Sequence, residues 1–466
     1  MRKILLLLLT LFTLLFISSC KEINNDSILA PNAQSLNKGA GNVGINIVLN
    51  TNVSQKILKD LGKYGKVMDV IEEINAVRLL GKADVIPEIT ALSYVEGANP
   101  DAERNAPPID AVPVTSFADG LSTWNLDVIN VTDIGFDNRT VTQDGTGVIV
   151  GVLDTGLLDS WRQYFPQERI LVQYAKSFSG GGSVKANVSE QPNKWEHDQD
   201  SHGTHVTSTI IGYSLNGTHV NGVAPNAQII PVKVLNQNGS GWSSVIAQGI
   251  VYIADLKESV SPDIPIIINM SLGGPSQDAL EKAAIDYALS KGVIIVASAG
   301  NEGEEGMGYP GAYEPVISVA ASGWAGEWLN SSWWYSIDDP DPNNPGLYYI
   351  TDFSSRERSG QDLDVAAPGS WIVGPYQLQS GKTSYYYLGG TSMASPHVAG
   401  VVALMAQKDH GLTPALAEST LEGTAIPLPP GNLDVHNPDG SITNYSWGTD
   451  ATGSGIVNAQ AALNAL

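Results

Sequence analysis

Gly147-Val148-Ile149-Val150-Gly151-Val152-Leu153-Asp154-Thr155-Gly156 reads as one buried strand that ends on a carboxylate. A strand covered on one face alternates apolar and polar residues, whereas a strand covered on both faces is apolar throughout. The run from Val148 to Leu153 is of the second kind, bounded by Gly147 and Asp154. Similar runs follow at Ile229 to Leu235, Ile264 to Asn269, Val293 to Ser298, Val316 to Ala320 and Leu363 to Ala366. Helical patterns lie between several of them, notably Ser243 to Lys257 and Asp278 to Lys291. Buried strands alternating with helices predict an α/β fold with a largely parallel sheet covered on both faces.

In open sheets of this class the ligand crevice lies at the carboxyl ends of the strands. Asp154 ends the first run, and Asn301 follows another in Ala297-Ser298-Ala299-Gly300-Asn301. Either residue alone would pass for a turn or a helix cap. His202 lies in Ser201-His202-Gly203-Thr204-His205-Val206, at the start of an apolar helix, with Gly203 allowing a close backbone approach. The His-x-x-His spacing invites a metal reading, but no third ligand of the zincin kind accompanies it. His205 is then a structural, hydrogen-bonded histidine. Ser392 opens a second helix in Gly389-Gly390-Thr391-Ser392-Met393-Ala394-Ser395-Pro396-His397, where free N–H groups and the helix dipole favour developing negative charge. Pro396 is expected near the first turn, where a missing N–H costs least, and Ser395 and His397 are expected to be structural.

These blocks resemble the signature blocks of the subtilisin family: Val152-Leu153-Asp154-Thr155-Gly156, His202-Gly203-Thr204-His205-Val206 and Gly390-Thr391-Ser392-Met393-Ala394-Ser395-Pro396-His397. Their order, Asp then His then Ser, is the subtilisin order. Ala299-Gly300-Asn301-Glu302-Gly303 is similar to the family's oxyanion-hole block. The resemblance covers residues 124–466 and implies a subtilisin-like three-layer fold. It implies a serine endopeptidase with Asp154, His202 and Ser392 as the triad and Asn301 as an oxyanion donor. It also implies that substrate adds as a strand between Gly239-Ser240-Gly241 and Ser271-Leu272-Gly273. Gly308, in Gly308-Tyr309-Pro310, would floor a P1 pocket roomy enough for a bulky apolar side chain. Glu302, Glu304 and Glu305 stand near enough in sequence to suggest that Lys or Arg is admitted as well. No cofactor is expected for the chemistry; structural calcium is compatible with the family, although Leu215 to Asn221 does not match a calcium loop.

Upstream, residues 43–100 carry strand and helix patterns in the order β-α-β-β-α-β, which matches a ferredoxin-like unit. By the same resemblance, Ala76-Val77-Arg78-Leu79-Leu80 through Val95-Glu96 is similar to the family's inhibitory propeptide. Residues 101–123 contain Pro107, Pro108 and Pro113 with little periodicity, and read as an exposed linker holding the maturation site between Gly97 and Val114. Residues 1–20 form a signal: Arg2 and Lys3, an apolar run from Ile4 to Ile17, then Ser18-Ser19-Cys20. That ending resembles a bacterial lipobox, with a plain secretory signal as the alternative. Residues 21–42 are a polar tether. The expected location is therefore exported, lipid-anchored at the bacterial cell envelope or surface, or secreted.

The formal net charge of -23 disfavours nucleic-acid partners, leaving protein or peptide substrates and the chain's own propeptide. Cys20 is the single cysteine, so no intramolecular disulfide and no thiolate zinc site can form. A long insertion after Val316 to Ala320 holds Trp324, Trp328, Trp333 and Trp334, then an acidic stretch from Asp338 to Asn344. The tryptophans suit either a cover over the core or a rim for extended substrate, and the acidic stretch either a solvated loop or a calcium site. The competing class is an inert scaffold on the same fold, which loss of a triad member would favour. A lipase is disfavoured because Gly390-Thr391-Ser392 is not a Gly-x-Ser-x-Gly elbow.

Overall fold

The computed structural model describes residues 41–114, 124–133, 138–179, 187–215, 217–260, 262–328, 344–376 and 384–466. The signal and nearly all of the tether lie outside these residues. So do Trp333, Trp334 and the acidic stretch up to Asn343. Among the described residues no helix is long and apolar enough to cross a membrane.

The N-terminal unit is β1 (Val43–Leu49), α1 (Gln55–Leu61), β2 (Gly65–Ile71), β3 (Ala76–Gly81), α2 (Ile86–Thr90) and β4 (Val95–Pro100). Its sheet runs β2-β3-β1-β4, with every pair antiparallel. Period-2 alternation sends Ile45, Ile47, Val77 and Leu79 into a small core with Leu61 and Ile89. The opposite face contributes Val48, Ile71, Ile74 and Ala76 to the main core.

Beyond it, β5 (Glu103–Asn105) and β6 (Asp110–Pro113) precede the main sheet. That sheet contains β7 (Ile149–Asp154), β8 (Lys176–Ser179), β9 (Ser189–Glu190), β10 (Gln228–Lys233), β12 (Ile266–Met270), β13 (Ile294–Ser298), β14 (Ile317–Trp324), β15 (Tyr348–Ile350) and β16 (Val365–Pro368). The short strand β11 (Ser240–Trp242) stands outside it. The central order β8-β10-β7-β12-β13-β14 is parallel throughout, β16 pairs parallel to β14, and only β9 and β15 run antiparallel. The expected α/β three-layer fold with a largely parallel sheet is therefore present. Two further strands, β17 (Ile372–Pro375) and β18 (Tyr385–Gly389), form a separate sheet with β6.

Four helices frame the site: α3 (His202–Ile211), α4 (Ser243–Val260), α5 (Ala279–Ser290) and α6 (Thr391–Lys408). In β7 the odd positions face α4: a Cβ on Gly151 would stand 3.0 Å from Ile253, and Leu153 abuts Gly249. Asp154 has the opposite parity and meets α3, so the end of β7 delivers its carboxylate to the other layer.

Two expectations are corrected. The stretch after residue 100 is not a patternless exposed connection: β5 pairs antiparallel with β11, and β6 with β18. Burial alternates along it, with Arg104 and Ala106 buried and Glu103 and Asn105 exposed. Pro and Gly neighbours hid this from periodicity, because the pairing edges belong to distant segments. Pro396 is the sixth residue of α6, not a first-turn residue. Its missing N–H leaves the Ser392 carbonyl outside the helical ladder, and the Ser271 hydroxyl donates to that carbonyl at 2.8 Å instead.

Candidate active site

The neighbouring parallel strands β7, β12 and β13 end at one edge of the sheet, with Asp154, Ser271 and Asn301 at or just beyond their carboxyl ends. Asp154 and His202 meet directly, with His202 Nδ1 at 2.9 and 3.0 Å from the two carboxylate oxygens. Gly203 makes this possible. A Cβ there would stand 2.4 Å from the Gly156 carbonyl oxygen and 3.2 Å from Asp154 Oδ1. The helix start is fixed by Thr155, whose hydroxyl accepts from Gly203 N at 2.9 Å and donates to Asp198 at 2.7 Å.

Burial of His202 by itself would disfavour the imidazolium, but Asp154, by charge and hydrogen bond, and then Asp200 and Asp198 outweigh it. The pKa is accordingly raised above the ordinary histidine value. His202 Nε2, the nitrogen facing away from Asp154, is buried and has no hydrogen-bond partner among the described residues. The other histidines behave differently. Burial pushes His205 down to about 3 and His397 down to about 4, so both are neutral. His205 Nε2 lies 3.0 Å from the Ile372 carbonyl oxygen, and His397 Nδ1 lies 2.8 Å from that of Met393. Ser395 donates to Asn269 at 2.7 Å.

Ser392 sits in the first turn of α6, and its hydroxyl donates to the Ser271 carbonyl at 3.3 Å. Asn301 is half-buried beside it. Its Oδ1 accepts from Thr391 N at 2.9 Å and from the Thr391 hydroxyl at 2.8 Å. A backbone N–H can only donate, so this pair fixes the amide and turns Nδ2, a donor, toward Gly390. The geometry can therefore offer a hydroxyl, a carboxylate-backed imidazole and an aimed amide N–H at one end of the sheet.

A strand of the chain itself lies in the cleft. Asn105 N donates to Gly273 O at 2.8 Å, and Gly273 N donates back to Asn105 O at 2.9 Å. Ala106 N donates to Gly239 O at 3.0 Å, and Ser240 and Gly241 stand opposite Asn105 and Arg104. The two edges expected to bind substrate thus hold β5 between them. Gly308 lies beside this channel: Tyr309 and Gly274 exchange backbone hydrogen bonds of 2.8 and 3.0 Å, and a Cβ on Gly308 would reach Gly274 N at 3.4 Å.

With this arrangement in view, comparison with known proteins is decisive. The sequence profile of the Subtilase family matches residues 145–462. The chain belongs to the subtilase family. It is 35% identical to subtilisin DY of Bacillus licheniformis over 288 residues, 61% of this chain and 85% of that protein. It is 33% identical to an alkaline protease of Alkalihalobacillus alcalophilus over 372 residues, 80% of this chain and 74% of that one. An alignment of that length must extend upstream of residue 145. Among solved structures it is similar to fervidolysin from Fervidobacterium pennivorans, a keratinolytic enzyme, with a TM-score of 0.63 and 24% identity. That likeness covers 91% of this chain and 61% of fervidolysin, and bears on fold alone. This subtilase is a serine endopeptidase acting on protein or peptide substrates, and the family needs no cofactor for catalysis.

Sequence reading missed several participants. Asp198, Thr155 and Asp200 brace the Asp154–His202 pair, but each looks like an ordinary loop residue. Burial raises Asp198 to about 6 although Lys233 opposes the shift. Glu302 accepts from Ser355 at 3.0 Å and Glu304 pairs with Arg358 at 2.7 Å, so both carboxylates already have partners. In the insertion, Trp324 stacks on Trp124 with centroids 6.4 Å apart, and Trp328 packs edge-on against Trp371 and Tyr387. These two cover the core. In sequence Glu281 reads as no more than an acid in a helix's first turn.

Proposed function

We propose that the chain is an exported zymogen in which Ser392 is the nucleophile, His202 the general base, Asp154 its orienting partner and Asn301 an oxyanion donor. The observation that carries this reading is β5, bonded as substrate would be between Gly239–Gly241 and Ser271–Gly273. On substrate, Ser392 Oγ bonds to the peptide carbonyl carbon as its proton passes to His202 Nε2. Asn301 Nδ2 and Ser392 N receive the oxyanion. The C–N bond then breaks, the same proton leaves with the amine, and water reverses the sequence to release the acid. The ring must be neutral to act as base, so activity falls as pH drops through a pKa above the usual histidine value. Gly308 favours large apolar P1 residues in a broadly specific enzyme, since Glu302 and Glu304 are held elsewhere.

In this reading residues 43–100 are an inhibitory propeptide. Its Asn46 reaches Asp278, the N-cap of α5, at 2.9 Å, and Asp101 accepts from Ser244 N in the first turn of α4 at 3.1 Å. Ile109 N donates to Gly389 O at 2.8 Å. Residues 107 and 108 therefore bridge the anchors on either side of Ser392, and Pro107–Pro108 stands where a scissile bond would. Pro107 has no N–H for the Ser271 carbonyl, and the Pro108 nitrogen carries a ring that crowds attack. The seated bond resists cleavage, and the unit is removed by a cut elsewhere between Gly97 and Val114.

Purified chain starting at residue 21 should show no casein hydrolysis by intact mass and activity until it has lost its N-terminal unit. A full-length chain as active as the shortened one sinks the zymogen reading. Changing Pro107→Leu together with Pro108→Ala should create a rapid new cut between 107 and 108, absent from the wild type. If neither or both are cut there, the seating is wrong.

Export through the leader with lipid attachment at Cys20, or plain secretion, completes the reading. Structural calcium has a candidate seat: ligand atoms of Asp362, Asp364 and Glu418 lie within 4.8 Å of one another. Asp364 Oδ1 is buried with no hydrogen-bond partner among the described residues, and burial raises Asp364 to about 8 and Glu418 to about 7. A cation there would satisfy that oxygen. Calcium should raise the melting temperature of wild type but not of Asp364→Asn; equal shifts in both would dismiss this seat.

A further inference from the structure

Arg104 is the one long charged side chain that β5 carries into the body of the enzyme. Period-2 geometry gives it the buried side of the strand, opposite Gly241. Its side chain and that of Glu281 are both 0% exposed. Arg104 Nε donates to Glu281 Oε1 at 3.1 Å and Nη2 to Glu281 Oε2 at 2.6 Å, a two-pronged pairing that only a guanidinium makes. Nη2 also donates to Ser276 O at 3.0 Å, and Nη1 to Glu103 O at 3.0 Å. Gly274 closes the wall: a Cβ there would stand 2.3 Å from Glu103 O and 3.1 Å from Arg104 Nη1. The pocket is shaped around the guanidinium.

With Pro107 at the P1 position, Ala106 is P2, Asn105 is P3 and Arg104 is P4. We infer that Glu281 makes the P4 subsite an arginine pocket, so that the enzyme selects substrates with a basic residue three positions before P1. The inference rests on the substrate-like seating proposed above. A carboxylate this deep needs a donor. An apolar P4 side chain would strip it of water and return nothing, whereas arginine restores both prongs. Lysine supplies one compact charge and ranks between them.

Matured wild-type enzyme is assayed with three blocked aminocoumarin tetrapeptides that share Asn-Ala-Leu at P3 to P1. They carry arginine, its neutral isostere citrulline, or leucine at P4. The expected kcat/KM for arginine exceeds that for citrulline by about ten- to a hundredfold, the range for a desolvated charge pair. In Glu281→Gln the same ratio should fall to about twofold or less. A ratio measured within one preparation does not depend on how much of the variant folds, and the wild-type pair stands without the variant. Equal rates for arginine and citrulline, a preference for leucine, or an unchanged ratio in Glu281→Gln overturns the arginine pocket alone. If none of the three is cleaved by enzyme freed of its N-terminal unit, the peptidase seating fails and this inference with it.

Discussion

Ser392→Ala is expected to lower kcat for peptide hydrolysis by about 10⁶-fold with KM little changed, the size of the loss that removing the nucleophile causes in subtilisin, a relative. The reasoning is local. Among the described residues Ser392 Oγ makes one long hydrogen bond, 3.3 Å to Ser271 O, so its removal is expected to leave packing and the helix start intact. On the proposed mechanism, what disappears is the atom that forms the acyl bond. Asp154, His202 and Asn301 would then have no covalent step to assist, so the loss is expected in turnover and not in binding. Measured kcat, KM and melting temperature of the matured enzyme and the variant check this; a fall of less than a hundredfold would point to another nucleophile.

Asn301→Ala should cost about 10²–10³ in kcat, again with KM little altered, as for the corresponding donor in subtilisin. Thr391 holds Asn301 Oδ1 from two directions, so Nδ2 is aimed before substrate arrives and loses no orientation during the reaction. Its bond strengthens only as the carbonyl oxygen becomes an oxyanion, and that is why the effect belongs to turnover. Asn301→Asp tests the same point by another route. It is isosteric but replaces the donor with a second acceptor, and should be at least as inactive as Asn301→Ala. Near-normal turnover by either variant would remove Asn301 from the chemistry.

Much of the fold was readable because parallel strands buried on both faces leave uninterrupted apolar runs. Val148 to Leu153 and Val293 to Ser298 are within a residue or two of their strands. The helix at Asp278 to Lys291 was readable from its helical pattern, and the structure adds its cap, with Asp278 accepting from Leu280 N and Glu281 N. The residues proposed to carry the chemistry stand out in sequence because each sits near a strand end or helix start in a short, distinctive block. What sequence hid were pairings between distant segments. Nothing local to Glu103-Arg104-Asn105 announces a strand, because its partners lie at Ser240–Trp242 and Gly273. Glu281 looks like a helix-start acid until Arg104, 177 residues away in sequence, is seen against it. Likewise the hairpin of Gly431–His436 and Ile442–Trp447 carries too weak an alternation to stand out.

The most direct single test is covalent. Matured enzyme is treated with diisopropyl fluorophosphate, which phosphorylates activated serine hydroxyls, and the adduct is mapped by tandem mass spectrometry. One adduct per chain on Ser392, accumulating in step with loss of casein hydrolysis, is the expected result. An adduct on a different serine, or full inhibition with Ser392 unmodified, would contradict the assignment of the active site.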